Sequence, residues 1–306
     1  MVHIITHNDL DGYSAGYVAL QHFGEQNCDI EHFNYDKEPV IEGYKEGDTV
    51  IITDYSLTND QYRQILAKIG EQGTLIWCDH HITAIDRYNE EPDLCIQGLR
   101  STKYCGAVLT YLYLNFSMDT EDVENFSYDQ IMVRIPQYLR YVDAWDTWKL
   151  DVPYRQDAEY LNIAVGSRLS IPLIGEVKDC LKDYIDIGKH YTQFRDDWAK
   201  QFRDKYMFDM ELPGTLFGYD DNVRIAVLNI GCANSTYFGE NIDTYDVCMT
   251  LCFNGKNFVC SFYSNKSYID CSKAAKHFGG GGHKGAAGCT LADSKQLFDF
   301  ISKGEM

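Results

Sequence analysis

Val2-His3-Ile4-Ile5-Thr6-His7-Asn8-Asp9-Leu10-Asp11-Gly12 is the stretch on which the reading of this chain turns. A short β-type run, Val2 to Ile5, leads into it, and a helix-type run, Tyr13 to Phe23, leaves it. At an extended strand end, residues two apart share a side. His7, Asp9 and Asp11 therefore form one row of an imidazole and two carboxylates. Crowded carboxylates repel each other unless a cation lies between them. Gly12 lets the backbone turn sharply behind the row. The simplest reason for such a row is a bound divalent metal. The plain alternative is a solvated loop in which Asp11 caps the next helix.

The pattern recurs. A β-branched run over Thr49 to Thr53 ends in Asp54, and an apolar run over Thr74 to Cys78 ends in Asp79-His80-His81. Strand-like runs at 2–6, 28–34, 49–53 and 73–78 alternate with helix-like runs at 13–23, 58–70, 104–117 and 129–141. That alternation predicts an α/β fold with a parallel, doubly wound sheet. Ligands of such sheets bind at the carboxyl edge. A lone Asp after a strand is usually a helix cap, but three such ends, one reading Asp-His-His, exceed what capping needs. From Val177 to Phe202 apolar residues recur at helical spacing, predicting one long helix over 174–204 with Gly188 as its weak point and its aromatic stripe as core. After Pro213-Gly214 the pattern changes to strands at 223–230, 246–253 and 257–263, with helices at 271–278 and 294–302. These predict a smaller α+β domain.

Phe278-Gly279-Gly280-Gly281-Gly282-His283-Lys284-Gly285-Ala286-Ala287-Gly288 is the other distinctive segment. Four consecutive glycines can expose N–H groups as an anion-binding nest. A flexible linker would favour Ser and Gly without a central His-Lys pair. Between Lys256 and Thr290 stand Lys256, Lys266, Lys273, Lys276 and Lys284 against Asp270 alone. This local basic spot sits in a chain of net charge −19, which argues against a long, non-specific nucleic-acid groove. The 306 residues, 45% apolar, suffice for two domains. The first apolar stretch is broken by His3, His7, Asp9 and Asp11, and no run approaches a membrane span. Eleven scattered cysteines without a Cys-x-x-Cys pair read as reduced thiols of a cytoplasmic protein.

His7-x-Asp9-x-Asp11-Gly12, Asp54, Asp79-His80-His81 and the Gly-Gly-Gly-His-x-x-Ala-Ala-Gly box, in this order, resemble the DHH phosphoesterase family with its DHHA1 substrate-binding domain. The correspondence runs from His7 to Gly288. Within the family the chain is most similar to the small oligoribonuclease (nano-RNase) branch, whose Asp-Thr motif is matched in Tyr141 to Trp148. The resemblance implies a parallel DHH domain (1–172), a long linker helix (173–208) and a smaller α+β DHHA1 domain (209–306), with no further regulatory domain. It implies two ions, Mn²⁺ by preference with Mg²⁺ or Co²⁺ as substitutes. His7, Asp9 and Asp54 would hold one; Asp11, Asp54, His80 and a late Asp would hold the other, with Asp54 bridging. Asp146 is favoured as the late Asp over Asp143. Asp79 would orient a ligand histidine and His81 would face the phosphate, while Gly280, Gly281, Gly282, His283 and Lys284 would bind substrate. Many relatives carry Arg-Ser upstream of the box; here the stretch reads Ser261-Phe262-Tyr263-Ser264, where Tyr263 could stack on a base. The implied activity is a metal-dependent phosphodiesterase that cuts short oligoribonucleotides to mononucleotides by two-metal activation of water. Alternatives are a cyclic- or linear-dinucleotide phosphodiesterase, a 3′-phosphoadenosine-5′-phosphate phosphatase, or, outside enzymes, an inactive DHH scaffold. The implied partners are short RNA oligonucleotides or dinucleotides, no membrane, and a second copy of the chain in a homodimer.

Overall fold

The computed structural model describes residues 1–34, 38–91, 93–166, 168–293 and 295–296. The helix expected at 294–302 lies almost wholly outside these described residues. The chain divides into two compact units, Met1–Tyr191 and Thr192–Met306.

The first unit begins β1 (Val2–His7), α1 (Leu10–Phe23), β2 (Cys28–Phe33), β3 (Thr49–Thr53), α2 (Asn59–Ile69), β4 (Thr74–Cys78) and α3 (Ile82–Asn89). It continues through α4 (Gly106–Phe116), α5 (Thr120–Asn125), α6 (Tyr128–Met132), α7 (Gln137–Asp146), α8 (Arg155–Val165) and α9 (Ile171–Asp179). α10 (Leu181–Tyr206) crosses the division between the units. The four strands pair in parallel in the order β2-β1-β3-β4. Period-two alternation gives the sheet two apolar faces. Ile4, Ile51 and Ile76 pack with residues of α1, α4, α7, α8 and α9. Ile5, Ile52 and Trp77 pack with Tyr62, Ile65 and Ile69 of α2 and Ala84 of α3. β1 is followed by β2 on one side and flanked by β3 on the other, so the strand order reverses there. A crevice opens at such a switch point, beyond the carboxyl ends of β1 and β3.

Two expected helices are broken. The one expected at 129–141 is α6 and α7, parted at Pro136, which lacks the N–H to continue a helix and restrains the residue before it. The one expected at 174–204 is α9 and α10, interrupted at Cys180. Gly188 is no weak point: a Cβ there would run into the carbonyl oxygen of Tyr160 on α8. The aromatic stripe is core only at its ends, where Tyr184 and Phe202 pack against buried clusters; between them Tyr191, Phe194 and Trp198 are 52%, 73% and 42% exposed. α10 instead buries small residues, Gly188, Thr192 and Ala199, because only these permit close backbone approach.

The second unit contains β5 (Phe208–Pro213), β6 (Asn222–Asn229), α11 (Asn241–Thr244), β7 (Val247–Phe253), β8 (Phe258–Tyr263), α12 (Cys271–His277), β9 (Gly281–Gly282) and β10 (Ala286–Leu291). Its six-stranded sheet has the order β5-β6-β7-β8-β10-β9 and is antiparallel except for the β6–β7 pair. One face packs Ile225, Met249 and Phe262 against Ala274 and Ala275 of α12; the other buries Ala226, Leu228 and Cys248 with Phe238. Among the described residues no helix is long and apolar enough to cross a membrane.

Gly188→Ala tests the close approach of α10. Helix propensity alone would stabilise by about 1 kcal/mol, but overpacking against the Tyr160 carbonyl costs roughly 1–3 kcal/mol. A net loss of stability in urea melts is expected; a gain would show that the helix has room there.

Candidate metal centre

The three strand ends converge. β1 delivers His7 and the following Asp9 and Asp11, β3 ends immediately before Asp54, and β4 immediately before Asp79-His80-His81. The turn after β1 is built locally. Asp9, not Asp11, caps α1, its Oδ1 accepting from the Gly12 N–H at 2.9 Å. Thr6 Oγ1 donates to the Gly12 carbonyl at 2.7 Å. A side chain on Gly12 would collide with the His7 carbonyl, so close approach dictates glycine here.

Asp11 is held differently. It is buried in the first turn of α1, and its carboxylate accepts from the N–H groups of Gly106 (2.6 Å) and Ala107 (2.8 Å), the first residues of α4. The unpaired amides and partial positive charge of a helix N-terminus suit an anion. Gly106 is required, because a Cβ there would sit 2.5 Å from the Asp54 Cβ. Asp54 itself has φ 51°, a left-handed conformation that a non-glycine residue adopts only under local constraint.

His80 Nε2 stands at the centre, 3.3 Å from Asp54 Oδ1, 3.4 Å from Asp146 Oδ2 and 3.8 Å from Asp11 Oδ2. Ligand-type atoms come within 4.8 Å of one another in three groups: His7, Asp9 and Asp54; Asp11, His80 and Asp146; and Asp54, His80 and His81. Asp54 thus belongs to more than one group. Asp143 points elsewhere: it is buried, accepting from the Cys105 N–H at 2.9 Å and the Tyr128 hydroxyl at 3.1 Å. Asp79, also buried, accepts from the His80 N–H at 2.8 Å, and its Oδ1 lies 2.7 Å from Nδ1 of the His81 ring. The histidine ring that Asp79 contacts is that of His81, while His80 meets it through its backbone amide.

Burial, then the charges of Asp11 and Asp9, push Asp54 well above the ordinary carboxylate range. Burial and the same neighbours push Asp146 up to about 9. Asp54 Oδ2 and Asp146 Oδ2 are buried without a hydrogen-bond partner. Burial also raises Asp9, but the His7 ring, 2.8 Å away, and the Gly12 amide outweigh it and hold Asp9 low. Burial lowers His80, favouring the neutral imidazole that metals bind. At His81 burial is outweighed by the Asp79 carboxylate, and the ring is held above its usual range. Orphaned buried oxygens, raised carboxylates and a neutral imidazole make a donor set that fits divalent cations. Cys105, buried beside the cluster, is pushed well up by burial and by Asp11, Asp143 and Asp146, and stays a thiol.

The glycine box lies in the second unit and differs from the expected nest. Gly281–Gly282 pair with Ala287 and Gly288 as a short hairpin. The N–H groups of Gly279, Gly280 and His283 already donate to Lys276, Ala275 and Ala286 at 3.0, 2.8 and 2.8 Å. His283 is exposed at the tip, while Lys284 Nζ donates to the Ser267 carbonyl at 2.6 Å. Tyr263, read as a stacking ring, is half-buried against Phe238 and donates to the Ala233 carbonyl at 3.4 Å.

Sequence reasoning missed the α4 N-terminus. Its signal was Gly106 at the start of a helix-like run, which carries no mark of the carboxylate it serves. The arrangement makes a pH prediction. The folded value of Asp146, about 9, stands above its ordinary 3.8, so the folded chain keeps a proton that the unfolded chain has lost. Without metal, this group costs stability progressively as pH rises through that interval. Metal must displace the proton, so stabilisation by added Mn²⁺ over chelator should grow from about pH 6 to about pH 9. Melting curves read this, and an increment flat across pH would remove these carboxylates from the ligand set.

No family model matches the chain. Oligoribonuclease NrnB of Bacillus subtilis (strain 168) is 24% identical over 96% of this chain and 73% of its own. Among solved structures, the pGpG-specific phosphodiesterase PggH from Vibrio cholerae aligns at TM-score 0.53 and 13% identity, covering 99% of this chain and 100% of that one. RecJ from Thermus thermophilus, solved with Mn²⁺, aligns at TM-score 0.51 and 14% identity, covering 99% of this chain and 51% of RecJ. At such identities the structures speak for the fold, and the fold is theirs. With its four motifs in order and a relative matched over most of both lengths, the chain resembles the DHH-family, nano-RNase-like proteins.

Proposed function

We propose that the protein is a metal-dependent phosphodiesterase that hydrolyses short oligoribonucleotides to mononucleotides. The observation that carries this reading is Asp54, shared between ligand groups at the switch point of the sheet. The likeness to oligoribonuclease NrnB supports the substrate class. His7, Asp9 and Asp54 would hold one ion, and Asp11, Asp54, His80 and Asp146 the other, with Mn²⁺ favoured by mixed imidazole and carboxylate donors. Bound there, the ions supply an activated water near neutral pH and neutralise charge at phosphorus. His81, whose ring Asp79 holds above its usual range, would face the scissile phosphate and stabilise developing charge. Residues 1–172 form the metal-bearing domain, 173–208 the helical linker and 209–306 the substrate-binding domain. In the last, exposed His283, with Gly280 to Gly282 and Lys284, would bind substrate. A linear or cyclic dinucleotide is the second reading; PggH, whose fold this chain shares over its full length, is a pGpG-specific enzyme.

The deciding assay runs di- to pentaribonucleotides, linear and cyclic dinucleotides and adenosine 3′,5′-bisphosphate in parallel with Mn²⁺. Oligoribonucleotides should be cut fastest, and rates should fall toward long strands, whose phosphates extend into the field of a −19 chain. Equal or faster digestion of long single strands overturns the substrate reading.

Asp54→Ala should abolish turnover at every substrate concentration and lower bound metal. Asp143→Asn should instead retain metal and lose stability. Metal analysis and melting of both variants distinguish the roles; the reverse pattern would exchange them. His283→Ala should raise KM and lower kcat with bound metal unchanged. Loss of metal in that variant would show that the box serves the metal centre instead.

A further inference from the structure

α1 and α4 carry metal-centre residues at their N-terminal ends. At their other ends they line a cavity of about 230 Å³ with α7 and α9. Its floor is Tyr138, a ring only 3% exposed. Half-buried Tyr17 and Tyr111 form its walls. Its rim is Lys178, His22, Gln21 and Asn115, all exposed. Lys178 Nζ lies 6.0 Å from the centroid of the Tyr17 ring. Asn115 Nδ2 donates to the Tyr111 carbonyl at 3.0 Å, which turns its amide donor inward to the helix.

Two features set this cavity apart. The chain has 46 acidic residues, yet no carboxylate lines it, and its rim bears an ammonium and an imidazole. The second is the Tyr138 phenol among its lining residues, a donor that an acceptor in the cavity could take up. Burial, with Tyr17 and Tyr111 nearby, holds the Tyr138 phenol well above its usual range, so it remains a donor. Aromatic walls suit a planar ring, the floor hydroxyl suits an acceptor on the ring's edge, and the cationic rim suits an anionic group. We propose that this cavity is a second ligand site, separate from the metal centre, and that it takes a nucleoside monophosphate. The chemistry of walls, floor and rim defines the class, a ring-bearing anion; choosing the mononucleotide rests on the reaction proposed above, of which it is the product.

Calorimetric titration of the whole protein tests this, with chelator present so that phosphate cannot bind through metal. The probes are AMP, UMP, uridine and inorganic phosphate. One mononucleotide should bind per chain, with uridine and phosphate each at least tenfold weaker. Lys178→Ala and Tyr138→Phe should each weaken mononucleotide binding at least tenfold. No binding, equal binding of phosphate or uridine alone, or binding unchanged in both variants overturns the site. The outcome is separable from the proposed reaction. A preparation that binds mononucleotide under chelator yet fails to cut oligoribonucleotides overturns the reaction and keeps the cavity. One that cuts them but binds no mononucleotide overturns the cavity alone.

Discussion

Mutual repulsion among carboxylates brought together at one sheet edge governs how the first unit is built. Asp9, Asp11, Asp54 and Asp146 approach a common space, and the protein neutralises only some of them. Asp9 has the His7 ring and the Gly12 amide. Asp11 has two amides of α4. Asp54 and Asp146 each keep a buried oxygen without a hydrogen bond. Isolated buried charge is expensive, and such groups protonate or recruit a counter-ion. The fold therefore creates a demand for cations and supplies the geometry to satisfy it. The cost shows in the backbone, where Asp54 adopts φ 51° with the Gly106 backbone pressed against it.

The strand ends were legible because period-two alternation and β-branched runs mark them directly, and the Asp and His that terminate them stand out in sequence. What stayed illegible depends on partners distant in the chain. Nothing local to Gly106 reveals that its amide receives Asp11, 95 residues earlier. Gly188 looks like a helix defect until the Tyr160 carbonyl is placed against it. The stripe of Tyr191, Phe194 and Trp198 has the spacing of a core face, yet the small residues beside it are the buried ones. Hydrophobic spacing reports that a helix has faces; contact distance decides which one is covered. The conformation of the glycine box was illegible in another way. Its composition permits a nest, but the neighbouring Ala286 to Leu291 strand recruits it into a hairpin.

Asp143 and Asp146 show how one helix divides labour. Three residues apart, they lie close on the same side of α7. Asp143 is spent on the Cys105 amide and the Tyr128 hydroxyl, which ties α7 to the segment leading into α4. That tie fixes the start of α4, whose next amides hold Asp11, and it fixes the helix that carries Asp146. A buried acid outside the cluster thus sets the relative placement of two acids inside it.

The thiol of Cys105 bears on which elements the cluster can discriminate among. Sulfur next to a metal cluster is ordinarily an invitation to soft ions, since thiolate binds zinc and cuprous copper strongly. Here burial first, and then the charges of Asp11, Asp143 and Asp146, keep that sulfur protonated. The donors that remain are oxygen and imidazole nitrogen. An ion held there would meet carboxylate and imidazole donors alone, with the neighbouring thiol silent.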